Sequence, residues 1–164
     1  IDLRTETFES IVEDYIRQHG LSEALSSIIF LFLEKIGILW QTGRINPAHE
    51  HIVSNIIRQK IIAAIDDLPV PERRQPLSVL FLPDDQYHEL GLLYVQYLMK
   101  QKGLPVLYLG SNVPAKDVVY VAGVKKPQYL YIHLTVTPLK KSFERYLNTL
   151  LSCNLPFKIL LSGS

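Results

Sequence analysis

Cysteine, methionine and tryptophan occur once each in the 164 residues. The lone Cys153 excludes an intramolecular disulfide and a cysteine-rich zinc site, and this usage fits a reducing, cytoplasmic compartment. Neither sign of charge dominates. Seventeen Lys and Arg against 16 Asp and Glu leave a formal charge of +1, which removes any global electrostatic case for nucleic acid or an anionic membrane. Long apolar runs are missing as well: the richest stretch, "IIFLFLEKIGILW", is broken by Glu34 and Lys35 and falls short of the ~20 residues that span a bilayer. No repeat or low-complexity segment is present. What remains is 48% hydrophobic and 20% charged, enough apolar material for a buried core in a soluble protein. The chain has no initiator Met and stops at "LLSGS", where a strand would feed its next loop, so it reads as part of a longer protein.

Two grammars divide the chain at "DLPVPERRQPL", whose three prolines and charge cluster, with the Arg73–Arg74 pair, interrupt the periodic segments. The division expected is a helical bundle over 1–70, a linker over 71–76 and a second domain over 77–164. In the first part the spacing predicts helices at 6–19, 22–42 and 46–67. Phe8, Ile11, Val12, Tyr15 and Ile16 share one face of the first, and Gly20 stops it. The second is apolar nearly all round from Ile28 to Trp40, the pattern of a buried helix. Asn46 as N-cap with Pro47 at the first helical position starts the third.

In the second part short apolar runs alternate with amphipathic helical ones, giving four strands and three helices without hairpin turns. That pattern predicts a doubly wound α/β fold, a Rossmann-like (flavodoxin-like) parallel sheet covered on both faces. Ligands in such folds bind at the loops that leave the carboxyl ends of the strands. Those loops are "PDDQYHELG", "GSNVP", "TVTP" and "SGS", each offering small or hydroxyl-bearing residues. In the first, His88 lies three residues before Gly91. A neutral imidazole there can bind a transition metal through one nitrogen while Asp84, Asp85 or Gln86 orients the other. The tempting "HEH" at 49–51 lacks the histidine that a zinc protease needs at the fifth place, where Val53 stands.

The "HELG" of the first loop, in a parallel α/β domain after a helical bundle, resembles the cobalamin-binding modules marked by Asp-x-His-x-x-Gly, then Ser-x-Leu or Ser-x-Thr, then Gly-Gly. The resemblance gives His88 as the lower cobalt ligand, displacing the cofactor's own dimethylbenzimidazole, whose tail inserts beside the sheet. It places Gly91 in the first motif, Thr135 in the second and Ser162–Gly163 in the third. "WQTGRINPAHEH" carries Trp40-x9-Glu50-His51, similar to the cap signature of cobalamin-binding MerR-type transcriptional regulators, which include light-sensing repressors. Trp40, Glu50 and His51 would then border the upper face of the cofactor. Four positions depart from the pattern: Gln86 replaces the acid two residues before the histidine, His133 stands where the second motif has Ser, Ser162 replaces a Gly, and Gln41 follows Trp40 where light-sensing members have His.

The resemblance implies a ligand-sensing and oligomerisation region, not an enzyme, that binds adenosylcobalamin between bundle and sheet. Operator DNA would be bound through a domain preceding residue 1, with no membrane involved. Two alternatives stay open: a corrinoid carrier module of a methyltransferase system, and a degenerate domain that no longer binds cobalamin.

Overall fold

The structure, a computed structural model, describes residues 4–72 and 74–163; Arg73 of the linker pair and Ser164 of the last loop lie outside them. It divides into two compact units, Ile1–Asp67 and Leu68–Ser164.

In the first unit, α1 (Thr5–His19) ends where Gly20, at φ +82°, donates its N–H to the Ile16 carbonyl. The expected second helix is one continuous rod of three parts: α2 (Leu21–Ala24), a five-residue π-helical segment (Leu25–Ile29) and α3 (Phe30–Gln41). Sequence periodicity gives no sign of the π segment, because it adds one residue to a turn without changing which residues are apolar. α4 (Pro47–Asp66) starts as the cap signal predicts, the Asn46 Oδ1 accepting from the Ala48 N–H at 2.9 Å. Ile57, Ile61 and Ile65 recur every fourth residue on α4 and bury one stripe, with Val12, Leu21, Leu25 and Ile29 also buried. Lys60 of α4 reaches α1, donating to Glu9 at 2.6 Å and to Glu13.

The expectation that the apolar second helix is buried fails in its α3 half. No residue of α3 is fully buried, and Leu31, Ile38 and Trp40 are 54%, 53% and 45% exposed. Apolar residues encircle this helix, but only the side carrying Phe32, Ile36 and Leu39 faces Phe8 of α1 and Ile52 of α4. A unit of so few helices has nothing left to cover the rest.

The second unit is a four-stranded sheet: β1 (Ser78–Pro83), β2 (Val106–Val113), β3 (Tyr129–Leu134) and β4 (Lys158–Gly163), ordered β2-β1-β3-β4 with every pairing parallel. The predicted flavodoxin-like class is observed, and its order reverses between β1 and β3. The helices are α5 (Leu90–Gln101), α6 (Ala115–Lys125) and α7 (Lys140–Leu151). Alternation along β1 sorts its side chains. Val79 and Phe81 join Val118, Tyr146 and Leu150 of α6 and α7, whereas Leu80 and Leu82 join Leu92 of α5. Every residue of β1 is buried, as suits an interior strand.

Two loops expected from the sequence are shorter than read. β2 continues through Ser111 and Asn112, and β4 takes in Ser162 and Gly163. Register shifts after Leu80 and Phe81 and a left-handed Asn112 (φ +54°) let β2 bend and keep pairing. Among the described residues no helix is long and apolar enough to cross a membrane.

Phe81→Ala, at a fully buried site, should destabilise the second unit by about 3–5 kcal/mol in urea unfolding. Val70→Ala, at a site 85% exposed, should stay within about 0.5 kcal/mol of the parent.

Candidate functional site

The carboxyl ends of β1 and β3 meet at the point where the strand order reverses, and a buried amide joins the loops that leave them. Gln86 is 2% exposed. Its Oε1 accepts from the Thr135 N–H (2.9 Å), the Thr135 hydroxyl (2.9 Å) and the Val136 N–H (3.1 Å), while its Nε2 donates to the Val136 carbonyl at 3.1 Å. The Gln86 main chain is held as well: its N–H donates to Pro83 and its carbonyl accepts from Asn112 at 2.9 Å. Asp85, left-handed at φ +64°, donates its N–H to the Asn112 Oδ1. One residue thus ties the first loop to the second and third. The sequence reading gave Gln86 the task of orienting the His88 imidazole; in the structure its amide is turned onto the β3 loop.

Beside this knot lies a second contact that the sequence did not announce. His133, on the α5 side of β3, places its Nδ1 2.8 Å from the Ser162 Oγ on β4. The other edge of the ring reaches α5: a Cβ built on Gly91 would stand 2.7 Å from the His133 Nε2, so a larger residue at 91 would displace the ring. The imidazole therefore spans β4 to α5 across its own strand. Burial lowers the His133 pKa from its ordinary 6.5, favouring the neutral ring. Gly163 is a close approach of a different kind. At φ +107° its added Cβ would fall 1.8 Å from the Leu134 carbonyl oxygen, a collision with backbone that nothing can relieve by side-chain movement.

His88 is exposed in the same rim, two residues before α5, and has no hydrogen-bond partner among the described residues. Both ring nitrogens are open to a ligand. Glu89, the next residue, turns away and accepts from the Tyr108 hydroxyl at 2.7 Å. No group of three or more His, Cys, Asp or Glu side chains is placed to hold a metal ion among the described residues, so a metal here would depend on one protein ligand and its own chelator.

In the first unit, Trp40 is the penultimate residue of α3, and Glu50 and His51 lie in the first turns of α4, across the turn at 42–46. The Glu50 Oε2 and His51 Nδ1 approach to 3.2 Å, with His51 exposed and Glu50 half-buried. Sequence reasoning missed Asn112, Val136 and the Tyr108–Glu89 pair. Asp85 and Asn112 carried the one available signal, since both residue types tolerate the left-handed backbone they adopt.

Residues 1–64 match the B12 binding domain family. The HTH-type transcriptional repressor CarH of Myxococcus xanthus is 26% identical over 128 residues, which are 78% of this chain and 42% of the repressor. The HTH-type transcriptional repressor CarA of the same organism is 28% identical over 120 residues, 73% of this chain and 41% of that one. The chain is a homologue of these repressors. It spans about two fifths of their length. Among solved structures, the monomethylamine corrinoid protein of Methanosarcina barkeri gives a TM-score of 0.76 over 95% of this chain and 76% of that one, at 14% identity. A cobalamin-binding protein from Desulfitobacterium hafniense DCB-2 gives 0.51 over 99% and 79%, at 18% identity. Both show a shared fold.

For a cobalamin, the rim fits in part. An unpartnered imidazole at His88 suits a large ring lying over the strand ends, whereas the side-chain-free face of Gly163 is taken by the Leu134 backbone and the space between Gly91 and Ser162 by His133.

Gln86→Ala should destabilise the second unit by roughly 1–2 kcal/mol in denaturant unfolding, because the Thr135 and Val136 amides lose the buried acceptor that joins the loops. Gly91→Ala should cost about 1–3 kcal/mol in the parent and under about 1 kcal/mol in a His133→Ser background, a coupling that a double-mutant cycle reads directly. Because the folded state lowers the His133 pKa, the unfolded chain binds the proton more readily. The His133 contribution to stability is complete above pH 6.5 and declines as pH falls below it; His133→Ser should remove that part of the pH dependence in thermal melts.

Proposed function

We propose that the chain is the ligand-sensing and oligomerisation region of a MerR-type transcriptional regulator, with adenosylcobalamin as its ligand. The observation that carries this is the partner-free His88 imidazole at the strand ends, in a chain whose first 64 residues match the B12 binding domain family. Similarity to the CarH and CarA repressors supports the regulatory part.

In this reading His88 supplies the lower nitrogen ligand, and Trp40, Glu50 and His51 of the helical unit border the upper face of the corrin. Thr135 and Gly163 would border the lower side, Gly91 and Ser162 would reach it only beside the His133 ring that lies between them, and Gln86 holds the Thr135 loop in place. Cobalamin, if bound, would supply cobalt-centred chemistry, and the His88 imidazole is the side chain that would hold it. A linker at 71–76, shortly after the division between Asp67 and Leu68, would let the ligand touch both units, so occupancy would favour one of their arrangements. Homo-oligomers built on that arrangement would present N-terminal DNA-binding domains to operator DNA in the cytoplasm. The regulatory swing is limited to the difference in the ligand's affinity for the two states.

Reconstitution with adenosylcobalamin in the dark, followed by desalting, tests the reading. The protein should keep a cobalamin spectrum, and His88→Ala should shift it toward that of the free cofactor. A colourless eluate overturns cobalamin binding, and a spectrum unmoved by His88→Ala overturns the assigned ligand. Methyl transfer from bound methylcobalamin to a thiol would instead mark a corrinoid carrier.

A further inference from the structure

The α5 side of the sheet is unevenly covered at its carboxyl end. α5 packs chiefly on β1 and β2, reaching β3 at Tyr131 and His133, and on the same face of β4 Leu160 is 43% exposed. At the mouth of that face, Gly91 on α5 has no side chain and Ser162 on β4 has a short one, which together frame a slot over the end of β3. His133 grows from the floor of the slot and fills it, bonded to Ser162 on one side and in contact with Gly91 on the other. The occupant is itself a flat nitrogen heterocycle. It makes the polar contact to Ser162 and lies against the side-chain-free backbone of Gly91, where a planar base entering from solvent would otherwise lie. Residues so arranged are complementary, small against large, and leave no room for a second ring.

We propose that His133 closes this slot to the lower nucleotide of a corrinoid, so that the chain holds its ligand by the corrin ring and the His88 side alone, with the nucleotide outside the sheet. The inference rests on the cobalamin reading above and narrows it to a ligand class: corrinoids that lack the nucleotide are held as well as complete ones. It also separates two tasks that one ligand would combine, since His88 meets the ring while His133 excludes the tail. The two histidines face different surroundings, His88 in solvent without a partner and His133 half-buried with one.

Binding of adenosylcobalamin and of adenosylcobinamide, which lacks the nucleotide, to the intact chain in the dark tests this without any substitution. The two dissociation constants should agree within about threefold, whereas a preference for cobalamin of about tenfold or more overturns the proposal. In His133→Ser, which keeps a hydroxyl beside Ser162, cobalamin should tighten by about tenfold with cobinamide unchanged; an unaltered ratio overturns it. If neither corrinoid binds either protein, the cobalamin reading falls while the slot remains testable. Free 5,6-dimethylbenzimidazole should then raise the melting temperature of His133→Ser and leave the parent unmoved, and no rise in the variant overturns the closed slot.

Discussion

The rim of the sheet depends on an amide that has lost all contact with water. Gln86 satisfies two main-chain N–H groups, one hydroxyl and one carbonyl of the β3 loop, while its own backbone binds the ends of β1 and β2. A buried polar group with even one bond missing is destabilising, so the loops can occupy only the positions that complete the set. The β3 loop offers both donors and an acceptor, and an amide matches both. A carboxylate at 86 would accept from Thr135 and Val136 but would turn a charged oxygen toward the Val136 carbonyl. The acid expected of the motif and the loop present in this chain are therefore incompatible, and the sequence resolves the conflict in favour of the loop.

With Gln86 committed to architecture, His88 is left without an orienting partner among the described residues. The rim then combines a rigid floor with one free side chain. Rigidity comes from packing beneath: Phe81, Leu80 and Leu82 are fully buried, and the loops begin at the end of the best-buried strand. An unpartnered exposed imidazole can adopt several rotamers, and ordering it on a ligand costs side-chain entropy that a carboxylate neighbour would have reduced in advance. The first unit shows a different economy. Its core is small, α3 leaves much of its apolar surface uncovered, and an ion-paired Lys60 links α4 to α1 across the surface.

Fold class was legible because it follows from period and order: strand-length apolar runs alternating with amphipathic helices have few ways to pack. The Asn46–Pro47 start of α4 was legible for the same kind of reason, since cap chemistry is local. Burial of α3 was not, because all-round hydrophobicity states what a helix would bury and says nothing of whether neighbours exist to cover it. His133 was visible as a departure from a motif, but its two contacts join residues 42 positions back and 29 ahead, and no local pattern encodes such a meeting. Gln86 was misread for a related cause. Proximity in sequence to His88 suggested a bond between them, whereas the β3 loop, about fifty residues later, is nearer in space.

The contact between Gly91 and His133 also constrains how this sequence can have changed. A side chain at 91 would force the His133 ring to shift, so glycine there is favoured by a neighbour rather than by its own backbone: 91 is helical and lies outside the positive-φ glycines. A lineage can exchange His133 for a smaller residue in one step and keep glycine. The opposite order, a side chain at 91 before the histidine shrinks, passes through a strained intermediate. The route out of the present arrangement therefore begins on β3.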